Sequence, residues 1–134
     1  MPPLSADRNT LERSGDAVAH PVAAATVIYA GSLVALDAAG NATPGAVATT
    51  LTAAGRAQVQ VDNSAGAAGD VTLLVRRGVF QFKNSAGDAV DRTHIGGNAF
   101  IEDDETVSAT DGTGTRSVAG KIIDLDTGGV WIEI

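Results

Sequence analysis

Cysteine is absent from the 134-residue chain, and large apolar side chains are few. The chain therefore has no disulfide framework, no thiolate metal site and no cysteine nucleophile. Only three Phe, one Tyr and one Trp occur, so the 44% hydrophobic content leans on alanine. Because apolar burial stabilises a fold by about 25 cal/mol per Å², one subunit has little to bury for its length. Burial against neighbouring subunits is the usual remedy for such a thin core.

Positive charge is also scarce. Two Lys and seven Arg are scattered along a chain of net charge −7. Nucleic-acid binding needs clustered Lys and Arg to neutralise phosphates, so we expect no nucleic-acid partner. The residues from Glu102 to Ile134 hold eight acidic side chains against Arg116 and Lys121, which predicts an acidic, solvated surface that keeps the protein soluble.

Long apolar runs are missing as well. No stretch approaches the roughly 18 consecutive apolar residues of a membrane-spanning helix, so we expect no membrane partner. The segment from Met1 to Arg8 lacks the apolar core of a signal peptide. We therefore expect a soluble protein that is synthesised in a cytoplasm.

The sequence does contain the regularly spaced turn signals that are typical of β structure. Gly-rich turn signals recur every 8–12 residues from Val18 onward, the spacing of a sandwich or barrel of short strands. Between the turns the apolar residues alternate with polar ones, as strands with one buried face require. The alternating apolar sets are Ala57, Val59 and Val61; Val71, Leu73 and Val75; Phe80 and Phe82; and Val130, Ile132 and Ile134. The pattern predicts one all-β domain, a small β-barrel or β-sandwich, over residues 18–134.

Two interruptions of this pattern carry local predictions. The step Arg76-Arg77-Gly78 separates two alternating runs and predicts a bent strand or a tight corner. Residues 49–54 and 88–92 each have the composition of one helical turn, but both are too short to persist without tertiary packing.

The first residues differ from the rest of the chain. Residues 1–16 are polar and mixed in charge, and neither strand nor helix periodicity is clear there. We predict an extended N-terminal arm, residues 1–17, that cannot bury itself on its own domain. Two interpretations stay open: the arm lies on a neighbouring subunit, or it is a frayed terminus.

Residues suited to catalysis are few. His20 and His94 are the imidazole candidates for a general base, and no Gly-x-Ser-x-Gly elbow accompanies either of them. The loop 112–115 is glycine-rich, but no Lys-Ser/Thr follows it as in a phosphate-binding loop. We predict no enzyme activity, no catalytic residue and no cofactor.

The acidic run 102–105 raises the question of a cation, because hard cations take clustered carboxylate oxygens. The spacing of an EF-hand loop is absent, and nothing fixes the distance from this run to the second acidic pair, Asp124 and Asp126. The prediction is a solvated hairpin tip with no metal site; whether residues 102–105 bind a cation stays open.

The segment from Tyr29 to Gly45 resembles the opening hairpin of bacteriophage capsid decoration proteins, also called cement or head-stabilisation proteins. The stretches 97–101, 106–107, 120–124 and 129–134 resemble the closing strands of that family. The likeness covers roughly residues 25–134 and consists of turn glycines and alternating valines.

The resemblance implies a small β-barrel that forms a homotrimer, binds the major capsid protein at capsomer junctions on the outer surface of the virion, and stabilises the expanded head. The neighbour-binding residues would be those of the arm: Arg8, Thr10, Leu11, Glu12 and Arg13. One alternative is another virion structural module, such as a tail-tube, spike or head-fibre protein. A further alternative is a β-barrel enzyme or sugar-binding domain.

Overall fold

The computed structural model describes residues 3–134, and its regular secondary structure is almost entirely β-strand. The predicted all-β fold is confirmed. The strands are β1 Ala17–Pro21, β2 Thr26–Ile28, β3 Leu33–Leu36, β4 Ala42–Pro44, β5 Thr52–Ala57, β6 Val61–Asn63, β7 Thr72–Arg76, β8 Val79–Asn84, β9 Asn98–Ile101, β10 Thr106–Ser108, β11 Val118–Asp126 and β12 Gly129–Glu133. One 3₁₀ turn, Arg92–His94, precedes β9. No helix in the described part of the chain is long and apolar enough to cross a membrane.

The C-terminal half forms a closed five-stranded barrel in the order β10-β8-β12-β11-β9. The pair β8–β10 is parallel and the other pairs are antiparallel. Alternate residues of the strands point inward and fill the barrel, as the period of two requires. Its buried core includes Phe82, Ala99, Ile101, Val107, Ile122, Val130 and Ile132. A closed barrel has no free strand edge.

The N-terminal half forms an open sheet in the order β1-β7-β5-β3-β4. Strand β3 is buried on both faces, because Leu33 and Ala35 join the barrel core while Val34 joins a second core. A strand covered on both faces reads as a continuous apolar run, which is why residues 33–36 are Leu-Val-Ala-Leu.

The second core lies between the open sheet and the small β2–β6 sheet. Its buried members are Val22, Ile28, Val34, Ala42, Ala54, Ala57, Leu73 and Val75. The buried side-chain amide of Asn63 donates to the carbonyls of Ala23, at 2.9 Å, and Ala67, at 3.0 Å. These bonds satisfy a polar group that would otherwise destabilise the interior.

The corner predicted at Arg76-Arg77-Gly78 is confirmed. Strand β7 ends at Arg76 in the open sheet, and β8 begins at Val79 in the barrel. Gly78 has φ +157, a backbone conformation that side chains with a Cβ rarely adopt. The residues 76–78 therefore carry the chain from one sheet to the other.

The predicted alternation holds in β7, where Leu73 and Val75 are buried, and in β12, where Val130 and Ile132 are buried. It is wrong for residues 57–62. Ala57 ends β5 and Val61 begins β6 in a different sheet, and Val59 between them is 52% exposed. A change of sheet interrupts the side-chain period there. The possible helical turn at residues 49–54 is instead partly strand, since β5 begins at Thr52.

Candidate assembly surface

The N-terminal segment is exposed throughout its described length. Residues 3–16 contain no strand or helix, and each of their side chains is exposed; Met1 and Pro2 of the predicted arm lie outside the described residues. Leu4 is 75% exposed and Leu11 is 86% exposed. Burying one leucine stabilises a contact by about 1.5–3 kcal/mol, so this segment has apolar area to offer a partner.

The proposed neighbour-binding residues lie together in this segment. Arg8 donates from Nη1 to the Thr10 hydroxyl at 3.0 Å, and Leu11, Glu12 and Arg13 follow with exposed side chains. Their binding to a neighbour stays a prediction, as does the boundary between the arm and the domain at residues 17 and 18.

The acidic run 102–105 forms the tip of the β9–β10 hairpin, where the sequence predicted one. The tip is tied to the rest of the fold. The Leu33 N–H donates to the Asp104 carbonyl at 2.8 Å, and Lys83 donates to the Glu105 carboxylate at 2.9 Å. The hydrogen bond to Glu105 raises the pKa of Lys83.

Arg116 organises the charged groups behind this tip. Its Nη1 donates to the Asp88 carboxylate at 3.0 Å and to the Ser108 hydroxyl at 3.1 Å, and its Nη2 lies 3.5 Å from Glu102. The Glu102 carboxylate also accepts a bond from the Ser85 hydroxyl at 2.9 Å. The guanidinium therefore joins three loops of the barrel.

Asp88 is held ionised by this network. Its carboxylate accepts from the Thr110 hydroxyl at 2.6 Å and from the Thr110 N–H at 3.0 Å. The Thr110 hydroxyl bond lowers the pKa of Asp88 most, and the charge of Arg116 lowers it further. Within residues 3–134, no three His, Cys, Asp or Glu side chains come together as a metal site would require.

The second acidic pair is also engaged in local bonds. The Asp124 carboxylate lies 3.4 Å from Arg92. Asp126 accepts from Trp131 Nε1 at 3.0 Å, Gln81 Nε2 at 2.7 Å and the Gly128 N–H at 2.8 Å. The Trp131 bond is the main cause that lowers the pKa of Asp126. These contacts fix the β11–β12 turn against β8.

The two histidines lie on different elements. His20 lies half-buried on β1, and burial lowers its pKa. His94 ends the 3₁₀ turn, where its Nδ1 accepts the Asp91 N–H at 2.9 Å while the Asp91 carboxylate accepts the Thr93 N–H at 2.8 Å. This reciprocal capping box uses the imidazole to start the turn.

The glycine-rich loop is closed on itself. The N–H groups of Thr115 and Arg116 both donate to the Asp111 carbonyl, at 2.8 and 2.9 Å. These two N–H groups are therefore not available to an anion. An open groove lies between the start of β5 and the β11–β12 pair and is lined by Leu51, Ala53 and Ile134 among others.

Sequence reasoning missed the Arg116 network. Asp88, Glu102 and Arg116 lie 14 to 28 positions apart in the chain and converge because three loops meet at one end of the barrel. No local spacing signals such a meeting.

Comparisons of the chain with protein-family models, with curated proteins and with solved structures found no match in any of the three.

Proposed function

We propose that this chain is a capsid decoration protein of a bacteriophage, a structural protein that binds the major capsid protein at capsomer junctions on the outside of the head and stabilises the expanded shell. The proposal gives the chain no catalytic residue and no cofactor. It places the protein in the virion as a homotrimer.

The exposed N-terminal segment carries this proposal. Fourteen consecutive described residues, 3–16, lie in the open with Leu4 and Leu11 largely exposed. A chain gains nothing on its own from holding two leucines in water, whereas burying both on a neighbour would contribute about 3–6 kcal/mol. The segment is therefore suited to bind a neighbouring subunit in an assembled shell.

The charged groups support a structural role in a different way. Asp88, Glu102 and Asp126 are bonded to partners on other loops or strands of the barrel, and they hold those loops in place. A rigid barrel loses little conformational freedom when it docks, so more of its contact energy appears as affinity. That the assembly is a bacteriophage capsid is inferred from the sequence resemblance to capsid decoration proteins alone.

Stabilisation follows from mass action. A protein that binds the expanded shell and not its precursor lowers the free energy of the expanded state. Many weak contacts repeated over a lattice, and several arms in one oligomer, multiply into very slow release. The barrel would occupy the junction, and the arms would bind neighbours around it.

The test is retention on purified expanded capsids. Full-length protein and a variant lacking residues 1–16 are bound to capsids, and the fraction that stays bound through washing is measured. We expect the deletion to weaken binding about a hundredfold or more, since it removes both leucines. A matched control replaces Ser5 and Ser14, exposed arm residues outside the neighbour-binding set, by Thr. It keeps the length and charge of the arm and both leucines, so we expect it to be retained like the full-length protein.

Two outcomes would contradict the proposal. If the full-length protein does not bind capsids, the decoration role is wrong, and hexameric rings or fibres in solution would then favour a tail or fibre module. If the deletion variant binds as well as the full chain, the arm has no role in attachment.

A further inference from the structure

Strand β1 lies at the free edge of the open sheet, next to β7. The ladder between them begins where the Arg77 N–H donates to the Asp16 carbonyl at 2.7 Å and ends where the Val22 N–H donates to the Val71 carbonyl at 3.0 Å. Bonded positions alternate along an antiparallel strand. The even-numbered residues of β1 therefore direct their backbone groups toward β7, and the odd-numbered ones direct theirs away from the sheet.

The free part of this edge is short and well bounded. The next odd residue, Ala23, donates its N–H to the Ala42 carbonyl of β4 at 2.9 Å, so β4 occupies the edge from that point. The outward backbone groups of Ala17, Ala19 and Pro21 form the free part of the edge: two N–H groups and three carbonyls. Among residues 3–134, no backbone group forms a hydrogen bond with any of these five groups.

The side chains along β1 also leave room for another strand. Val18 and His20 pair with Val75 and Leu73, which are fully buried in the second core, yet Val18 and His20 are themselves only half-buried. An added strand would cover them. Natural edge strands are commonly protected by Lys, by other charged residues or by Pro. Strand β1, Ala-Val-Ala-His-Pro, has no Lys, Arg, Asp or Glu, and its Pro stands only at the last position.

We propose that this edge binds the N-terminal arm of a second copy of the chain, residues 8–13, as an added β-strand. In an extended arm Leu11 falls on one side with Asn9 and Arg13, while Thr10 falls on the other. Leu11 packs beside Val18 and His20 of the neighbour, and the arm backbone bonds to Ala17 and Ala19. The inference rests on the neighbour-binding arm of the proposed function, and it makes a second copy in the same oligomer the neighbour that takes residues 8–13. Deleting the arm then weakens capsid retention because the oligomer loses its multivalent attachment.

Two observations favour a second copy as the occupant: residues 3–16 form no strand and do not pair with their own β1 edge, and the arm begins beside that edge. The arm leaves the fold at Ala17, the first residue of the acceptor edge. About 14 Å of extended chain separates Arg13 from Ala17, so the acceptor edge must lie close to the donor's own β1. Copies arranged around one axis with their β1 strands inward meet this requirement, and each arm then passes to the next copy. Such head-to-tail contacts close into a ring when the rotation that relates the copies closes on itself, as it does in a trimer.

Cross-linking in solution tests the pairing, and the absence of native cysteine makes the chemistry specific. Two variants, Thr10→Cys and Ala19→Cys, are mixed in equal amounts and treated with a short bismaleimide. We expect a covalent dimer that joins one copy of each variant, identified by mass spectrometry. Mixing Thr10→Cys with Ser64→Cys, an exposed turn position, should give no such product. Cross-linking confined to single chains of a Thr10→Cys/Ala19→Cys double variant would show that the arm folds back on its own edge, and would overturn the inference.

The variant Ala19→Pro provides a second test. It removes an N–H that points away from β7, so the intrachain ladder remains, and proline is tolerated on edge strands. We expect self-association measured by sedimentation to weaken about tenfold or more, while the thermal unfolding midpoint shifts by a few degrees at most. Self-association equal to that of the unaltered protein would overturn the inference.

These experiments use no capsids, so they fail independently of the proposed function. If capsid binding depends on the arm but the cross-link between Thr10→Cys and Ala19→Cys does not form, the β1 edge is not the acceptor and the decoration role is unaffected. The cross-link without capsid binding would do the reverse.

Discussion

Replacing Arg116 by leucine tests whether the charged network behind the acidic tip holds the barrel loops together. The substitution keeps much of the apolar stem and removes the bonds to Asp88 at 3.0 Å, Ser108 at 3.1 Å and Glu102 at 3.5 Å. It also leaves two carboxylates without their cation. The Arg116 side chain is 18% exposed, between the surface pairs worth about 0–1 kcal/mol and the buried pairs whose breakage costs about 3–5 kcal/mol.

We therefore expect Arg116→Leu to lower the free energy of unfolding by about 2–3 kcal/mol. For a domain of this size that corresponds to a fall of roughly 6–12 °C in the unfolding midpoint. Urea unfolding followed by Trp131 fluorescence, together with a thermal scan by circular dichroism, measures both quantities.

A matched control is Arg92→Leu. Arg92 lies 3.4 Å from Asp124, and the two side chains are 74% and 59% exposed, so we expect a change within about 0.5 kcal/mol. Equal and small effects of the two substitutions would show that the Arg116 network does not hold the barrel loops together.

Three further predictions concern single positions. The pKa of Asp88 is lower in the folded state than in the unfolded state. Its contribution to the free energy of unfolding is therefore fully present above the pKa of the unfolded state and is lost as the pH falls through the pKa of the folded state. The stability difference between the unaltered protein and Asp88→Asn should shrink below about pH 4. Gly129→Ala should cost about 2–4 kcal/mol in urea unfolding, because φ is +148 and a Cβ would overlap a carbonyl of the adjacent strand; Gly87→Ala, where a Cβ meets nothing within 4 Å, should be nearly neutral. In Trp131→Phe the pKa of Asp126 should rise toward its ordinary value in an NMR titration, because its main stabilising bond is lost.

The sequence was most informative where strand and turn signals are local. The alternation of Leu73 with Val75, the corner at residues 76–78 and the hairpin tip at residues 102–105 all follow from neighbouring residues. Val59 broke the rule because the chain changes sheets there, and period-two alternation does not reveal which sheet a strand joins.

Features that depend on contacts between distant parts of the chain could not be predicted from the local sequence pattern. The Arg116 cluster and the double burial of β3 depend on how distant loops and strands pack. The free edge of β1 depends on where β4 begins, since the Ala42 carbonyl accepts the Ala23 N–H and leaves the three preceding edge positions open. Composition predicted the arm, whereas the acceptor proposed for it rests on the pairing register of β1.

Electron microscopy of phage particles assembled in cells that produce this chain tests the proposed decoration role. If the proposal is correct, threefold-symmetric density for the barrel appears on the outer surface of the expanded head, at the capsomer junctions. A bare outer surface, with the chain found in the tail or missing from the particle, would contradict it.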